Sequence, residues 1–214
     1  MERLRPVVAA AAALLLLSGC DIIFTTSPLA FLQRDPADMS LEQRVYYAEQ
    51  ALASGDEGAM RDAYDAIKAD AAASSDGDLQ LLAGQLALGL SGINDTLDDL
   101  INIDFGAPLA ANQAYINQMV AALNATYVGE AAGFYQDADA NAGDLGGADY
   151  ILGALAILAD ATVAGGGDVD TLVAADVNPA ILFLTSAQTS LGPDDPSYGL
   201  VTDFLAFLGT TNFP

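Results

Sequence analysis

The chain is poor in the side chains that do covalent or acid–base chemistry. It has no His, one Cys (Cys20) and one Lys (Lys68). Without His there is no Ser-His-Asp or Cys-His arrangement and no imidazole ligand for a metal. No Ser-x-x-Lys leads to Lys68, and neither G-x-x-x-x-G-K-[ST] nor G-x-G-x-x-G occurs. Paired carboxylates are the remaining acid–base option, and Asp is too frequent for any pair to stand out. The composition therefore points away from an enzyme. One local cluster has ligand chemistry: Asp137-Ala-Asp139-Ala-Asn141-Ala-Gly143-Asp144. Oxygen ligands at alternate positions of a turning loop suit Ca²⁺. Asp137, Asp139, Asn141 and Asp144 are thus the candidate metal ligands. Gly165-Gly166-Gly167 is not a phosphate cradle, because Asp168 and Asp170 follow it and no Lys helps; it reads as a flexible loop.

The acidic cluster resembles the start of an EF-hand loop, with two departures. Gly143 comes one residue late, and the twelfth position is Ala148 instead of Glu. A second resemblance is carried by Leu17-Ser18-Gly19-Cys20. Arg3 and Arg5 precede an unbroken apolar run from Val7 to Leu17, which is too short to span a bilayer as a helix. Together these residues resemble the bacterial lipoprotein signal. The resemblance implies cleavage after Gly19 and a diacylglyceryl group on the Cys20 sulfur, with residues 1–19 removed. The expected location is the bacterial cell envelope, with the protein held to a membrane by lipid on Cys20. Two or three acyl chains anchor stably, since each buried CH₂ contributes about 0.8 kcal/mol. No membrane-spanning helix is then required, and none is expected.

Charge narrows the partners further. There are 29 acidic and 6 basic residues, a net charge of −23. From Ala69 to Pro214 there is no Lys, Arg or His. Such a surface repels nucleic acid and anionic headgroups. A partner is expected to be cationic, neutral or apolar where it touches. With Cys20 as the only Cys, no intrachain disulfide can form, and stability must come from packing.

The elements that must do this packing are helices. Residues 20–39 form the lipidated N-terminus and tether, and residues 40–214 a single all-α domain. Ser40-Leu41-Glu42-Gln43 is a capping box, followed by a stripe of Leu41, Val45, Ala48 and Leu52. Ser54-Gly55 ends that helix, and Asp56 caps a second one carrying Met60, Ala63, Tyr64, Ile67 and Ala71. A third is expected from Leu79 to Leu90, capped by Asp78 and stopped by Gly92, with Ala83, Gly84 and Ala87 allowing close backbone approach. Asp95 is expected to cap a short helix with Leu97, Leu100 and Ile101. Pro108 opens a long helix to about Tyr127, and a further element covers Glu130 to Gln136 before a loop from Asp137 to Gly147. Asn178-Pro179 and Asp195-Pro196 each read as a helix start, the last helix stopping at Gly209.

The first hairpin resembles a tetratricopeptide-type repeat. Ala48 stands at its small position, Gly55-Asp56 at its turn and Tyr64 at an aromatic position of its second helix. It departs at Met60 and lacks the closing Pro. A longer self-similarity aligns residues 82–88 (LAGQLAL) with 151–157 (ILGALAI), and Asp95-Thr96-Leu97 with Asp170-Thr171-Leu172. Read as duplication, it gives units 40–104 and 108–190; read otherwise, it reflects the small alphabet of Ala-rich helices. The fold class is therefore all-α, with stacked antiparallel helical hairpins, either tetratricopeptide-like or an irregular bundle.

Two functions fit. The first is a lipid-anchored, non-enzymatic envelope protein whose helical repeats form a scaffold for an envelope protein partner. The alternative is a lipoprotein that binds a small ligand or Ca²⁺ and assists a transport system. Tyr46, Tyr47, Tyr64, Tyr115 and Tyr127 would line an aromatic ligand groove if they are not core. An open groove between helices favours the first function, and a closed apolar pocket the second.

Overall fold

A computed structural model describes residues 36–93, 96, 107–211 and 213. Cys20, the signal-like segment, the tether up to residue 35 and the expected helix around Leu97 to Ile101 lie outside the described residues. Among the described residues there are eight α-helices and no strand. They are α1 (Leu41–Ser54), α2 (Glu57–Ala73), α3 (Gly77–Leu90), α4 (Leu109–Ala121), α5 (Ala125–Ala140), α6 (Gly147–Ala164), α7 (Ala174–Leu191) and α8 (Pro196–Thr210). The all-α class follows directly.

Local chemistry sets most boundaries. Ser40 accepts from the Gln43 amide while the Ser40 amide donates to Gln43 Oε1, so the capping box starts α1 as expected. Gly55 ends it at φ +66°, a left-handed conformation that glycine reaches without steric cost. Asp56 accepts from the Ala59 amide and starts α2. Asp195 accepts from the Ser197 amide and Pro196 takes the first helical position of α8. Elsewhere a different residue caps. Asp76, not Asp78, accepts from the amides of Asp78 and Leu79, and α3 begins two residues early. α7 begins at Ala174, with Asp176 reaching back to the Val173 amide. Pro179 therefore lies inside α7, just past its first turn, where one backbone hydrogen bond is missing.

The helices pack mostly on their neighbours in sequence, and α1 also touches α3. Successive helices pack as α1 on α2, α2 on α3, α3 on α5, α5 on α6, α6 on α7 and α7 on α8. Two side-chain hydrogen bonds join helices that are not consecutive. Tyr64 Oη of α2 donates to Glu130 of α5 at 2.7 Å, and Gln85 Nε2 of α3 donates to Asp149 of α6 at 2.8 Å. α6 is the one described helix long and apolar enough to cross a membrane by length and composition, which the sequence reading did not anticipate. Here it packs against both α5 and α7.

The centre is the antiparallel pair α3 and α5, clasped at both ends. At one end Gly77 lies against Gly143; at the other the Asn124 amide donates to the Ser91 carbonyl at 2.9 Å. The expected long helix from Pro108 to Tyr127 is broken for this reason. Asn124 leaves α4, bonds to the end of α3 and caps α5 through the amides of Thr126 and Tyr127. α4 thus lies outside the α3/α5 hairpin.

Between α3 and α6 sits the ring of Tyr135, fully buried. A Cβ on Gly84 would stand 3.3 Å from Tyr135 Cδ2, and one on Gly153 2.7 Å from Phe183 Cδ1 and 3.1 Å from Tyr135 Cδ1. These two glycines are equivalent in the aligned segments 82–88 and 151–157. Both aligned glycines border the Tyr135 ring, and Gly153 also makes room for the Phe183 ring. The self-similarity does not extend to α1 and α4: α1 packs on α2 and α3, whereas α4 packs on α6 and on the turn Val169–Thr171. The Tyr135 hydroxyl is buried and has no hydrogen-bond partner among the described residues. Burial, with Asp149 nearby, raises its pKa, so the phenol stays neutral. Tyr135→Phe removes that orphan polar group and keeps the ring. It is expected to stabilise the fold by about 1 kcal/mol, read by chemical denaturation.

Candidate functional site

The four candidate metal ligands are placed but not gathered. α5 continues through Ala140, so the expected loop from Asp137 is helical in its first part. Asp137 and Asp139, two residues apart, therefore point about 200° apart around the helix axis. Asp139 accepts from the Tyr150 hydroxyl at 2.9 Å. Asn141 donates to Gln80 Oε1 at 2.9 Å, and the Asp144 amide donates to Asp78 Oδ1 at 2.8 Å. These contacts tie the α5–α6 turn to α3 and α6. Among the described residues no group of three or more Asp, Glu, His or Cys side chains could hold a metal ion.

The tyrosines also have separate settings. Tyr64 is buried, edge-on to Tyr127 at 5.7 Å and to Phe134 at 6.4 Å. Burial, then the hydrogen bond to Glu130, raises its pKa. Lys68 Nζ bonds the other Glu130 oxygen and lies 5.3 Å from the Tyr64 ring centroid. The Glu130 hydrogen bond is the largest cause of the raised Lys68 pKa. Both Glu130 oxygens are thus committed to joining α2 and α5. Tyr46 is exposed on α1, and Tyr115 lies on α4. The five tyrosines line no common groove.

Two concave features remain, and sequence reasoning named neither. The first is an open groove of about 720 Å³ between α1 and α3. Its apolar part comes from Leu41, Val45 and Leu52 of α1 and from Leu79, Leu81 and Leu82 of α3. Of the expected stripe on α1, Ala48 is buried, Val45 and Leu52 are half-buried against the core, and Leu41 is 41% exposed. Four carboxylates edge the groove: Glu42, Glu49, Asp76 and Asp78. The three ion pairs among the described residues are Arg44–Asp70, Arg61–Glu57 and Lys68–Glu130, and none involves these four.

The second feature is a cavity of about 100 Å³ beneath α4, walled by α4, α6, α8 and the turn at Val169. α4 is fastened over it from outside. Gln113 Nε2 and Asn117 Nδ2 each donate to Asp168 Oδ1 at 3.0 Å, and the Val169 amide donates to Asn117 Oδ1 at 2.9 Å. The expected flexible glycine loop is a built turn. Gly166 and Gly167 take φ of +88° and +84°, and their amides bond back to Val163 and Thr162 of α6. This turn sets Asp168 at the clasp.

Hydrogen bonds from Asn117, then Gln113, then the Asp170 amide hold the Asp168 pKa below its ordinary value of 3.8. A carboxylate with a lowered native pKa stabilises the fold above its unfolded value, and that contribution is lost as pH falls through the native value. Acid is therefore expected to loosen α4 before the α3/α5 pair. Hydrogen exchange, normalised to intrinsic rates, reads this as lost protection across residues 109–121. Asp168→Ala is expected to show the same loss already at neutral pH.

No protein-family model, no curated protein and no solved structure matches this chain.

Proposed function

We propose that this chain is a lipid-anchored, non-enzymatic scaffold of the bacterial cell envelope, and that its α1/α3 groove receives a cationic amphipathic segment of a partner protein. The observation that carries the docking half is the groove itself. Its floor is apolar, its edge is acidic, and none of the three ion pairs among the described residues neutralises that edge. An amphipathic helix laid in such a groove buries its apolar stripe and sets Lys or Arg against the carboxylates. The chain's net charge of −23 favours the same class of partner through long-range steering. The floor is firm, since Leu79, Leu81 and Leu82 of α3 belong to the hydrophobic core behind it.

The anchoring half rests on Leu17-Ser18-Gly19-Cys20 and the apolar run before it. Cell fractionation tests it. The native chain is expected with the membranes, released by detergent and not by salt, while Cys20→Ala is expected in the soluble fraction. A native chain found soluble would refute the anchor. For the groove, the probe is a synthetic helix with a leucine stripe edged by lysines. Saturable binding that weakens with salt supports the reading; no binding, or binding equal to that of a glutamate-edged helix, refutes it.

A further inference from the structure

The α1/α3 groove has two unlike ends. Gly55 and Asp56 join α1 to α2, and residues 74–76 join α2 to α3. Connections this short turn the chain back on itself, so α1 and α3 run in the same direction. Both helices therefore start at one end of the groove, and the acid collects there. Glu42 lies in the first turn of α1, Asp76 caps α3 and Asp78 lies in its first turn. All three line the groove. From Leu41 to Ala53 the groove follows α1 for about 18 Å. Beyond its acidic end it meets one further carboxylate, Glu49, and it finishes on Leu52 and Ala53 of α1 and on Leu82 and Gln85 of α3.

The acidic end keeps its charge. The two helix N-termini that meet there carry about half a positive charge each, too little to offset three carboxylates. Among the described residues, the hydrogen bonds of Asp76 and Asp78 go to Oδ1, which leaves each Oδ2 for a partner. The other end differs. Gln85 donates to Asp149 of α6 at 2.8 Å, and the second Asp149 oxygen accepts from the Gly146 amide at 3.0 Å. That carboxylate is committed within the fold, so the far end presents apolar surface and the Gln85 amide.

We propose that the groove reads the direction of its partner: the docked helix carries its Lys and Arg at one end, and that end lies beside Glu42, Asp76 and Asp78, with uncharged apolar turns reaching Leu52. The inference rests on the groove reading above and adds the position of the charge within the segment. A lysine laid over the far end finds no carboxylate to pair with. An evenly charged helix of the same composition therefore forfeits part of the attraction.

Two synthetic helices of one composition are the probes, both with a leucine stripe. One carries its lysines in the last turns, where they also suit its own dipole; the other spreads them along both edges. Isothermal titration of the full chain is expected to give the end-charged helix a Kd about 10-fold lower, the scale of one or two exposed ion pairs. A nitroxide on its lysine end should broaden the labelled methyl groups of Leu41 and Leu79 more than those of Leu52. Asp76→Asn with Asp78→Asn neutralises the acidic end and keeps the cap of α3, since Asn caps as well as Asp. It should erase the preference. Glu42→Gln, which leaves α3 untouched, should reduce the preference and decides the matter if the double variant fails to fold. Equal Kd values for the two helices, or stronger broadening at Leu52 than at Leu41, overturn the inference and leave the groove reading standing. A preference that survives the neutral variants overturns it as well. Binding of neither helix overturns the groove reading, and the inference falls with it.

Discussion

Gly77→Ala is expected to destabilise the fold by about 3 kcal/mol, the upper end of the usual overpacking range. The new Cβ would collide with the Gly143 amide nitrogen, stand 2.7 Å from Gly143 Cα and 2.9 Å from the Asn141 carbonyl oxygen. All three are backbone atoms. No side chain can rotate away, so the α3 start and the α5 end must separate. That contact is one of the two clasps of the central hairpin. In isolation the same substitution would help a helix by up to about 1 kcal/mol, so the sign is set by the collision. Gly133→Ala in α5 isolates the propensity term. Gly133 is exposed, with nothing within 4 Å of its added Cβ. It is expected to gain up to about 1 kcal/mol. Denaturant melts of both variants test the account, and equal stability of Gly77→Ala and the native chain would contradict the clasp.

The second large effect concerns binding. Reversing two groove charges together, Glu42→Lys and Glu49→Lys, is expected to weaken the lysine-edged probe helix about 100-fold. Each reversal removes an attraction and adds a repulsion, each worth up to about 1 kcal/mol at an exposed site. Over two positions this reaches about 3 kcal/mol, or about two powers of ten in Kd. The fold should barely change, because both side chains are exposed and neither takes part in an ion pair. Losing Glu42 from the first turn of α1 costs about 0.5 kcal/mol through the helix dipole. Reversing Glu57 on α2, away from the groove, serves as the control and should leave the probe affinity within a few-fold. Isothermal titration at two salt concentrations reads both the loss and its electrostatic origin.

What the sequence disclosed follows from the range of each interaction. Ser40 with Gln43, Gly55, Asp56 and Asp195 with Pro196 were readable because each acts within four residues. The break at Asn124 was not, because the carbonyl it bonds belongs to Ser91, and neither position signals the other. The Asp137–Asp144 cluster shows the same limit in reverse. Its spacing suggested ligands on a loop, and Gly143 seemed one residue late for the turn. In the structure Ala142 takes the positive φ of 57°, and Gly143 is small because Gly77 presses against it. The glycine answered to a helix more than sixty residues away.

The site was legible only in part. Acidic excess directs attention to cationic and apolar contacts, but nothing in the α1 stripe marks Leu41 as its exposed end. How far α3 covers that stripe, burying Ala48 and leaving Leu41 exposed, depends on a helix more than twenty residues on. The Asp168 clasp joins α4 to a glycine turn fifty residues on, and no local pattern marks it.

Site-specific photo-crosslinking in living cells tests the central claim most directly. A photoreactive residue at Leu41 reports from the groove, and one at Leu182, 68% exposed on α7, reports from outside it. The account predicts a product from Leu41 and not from Leu182, lost in the Glu42→Lys, Glu49→Lys variant. Mass spectrometry of the captured peptide should place the crosslink in an amphipathic, Lys- or Arg-rich segment. Crosslinks from Leu182 alone, or a captured segment without net positive charge, would contradict it.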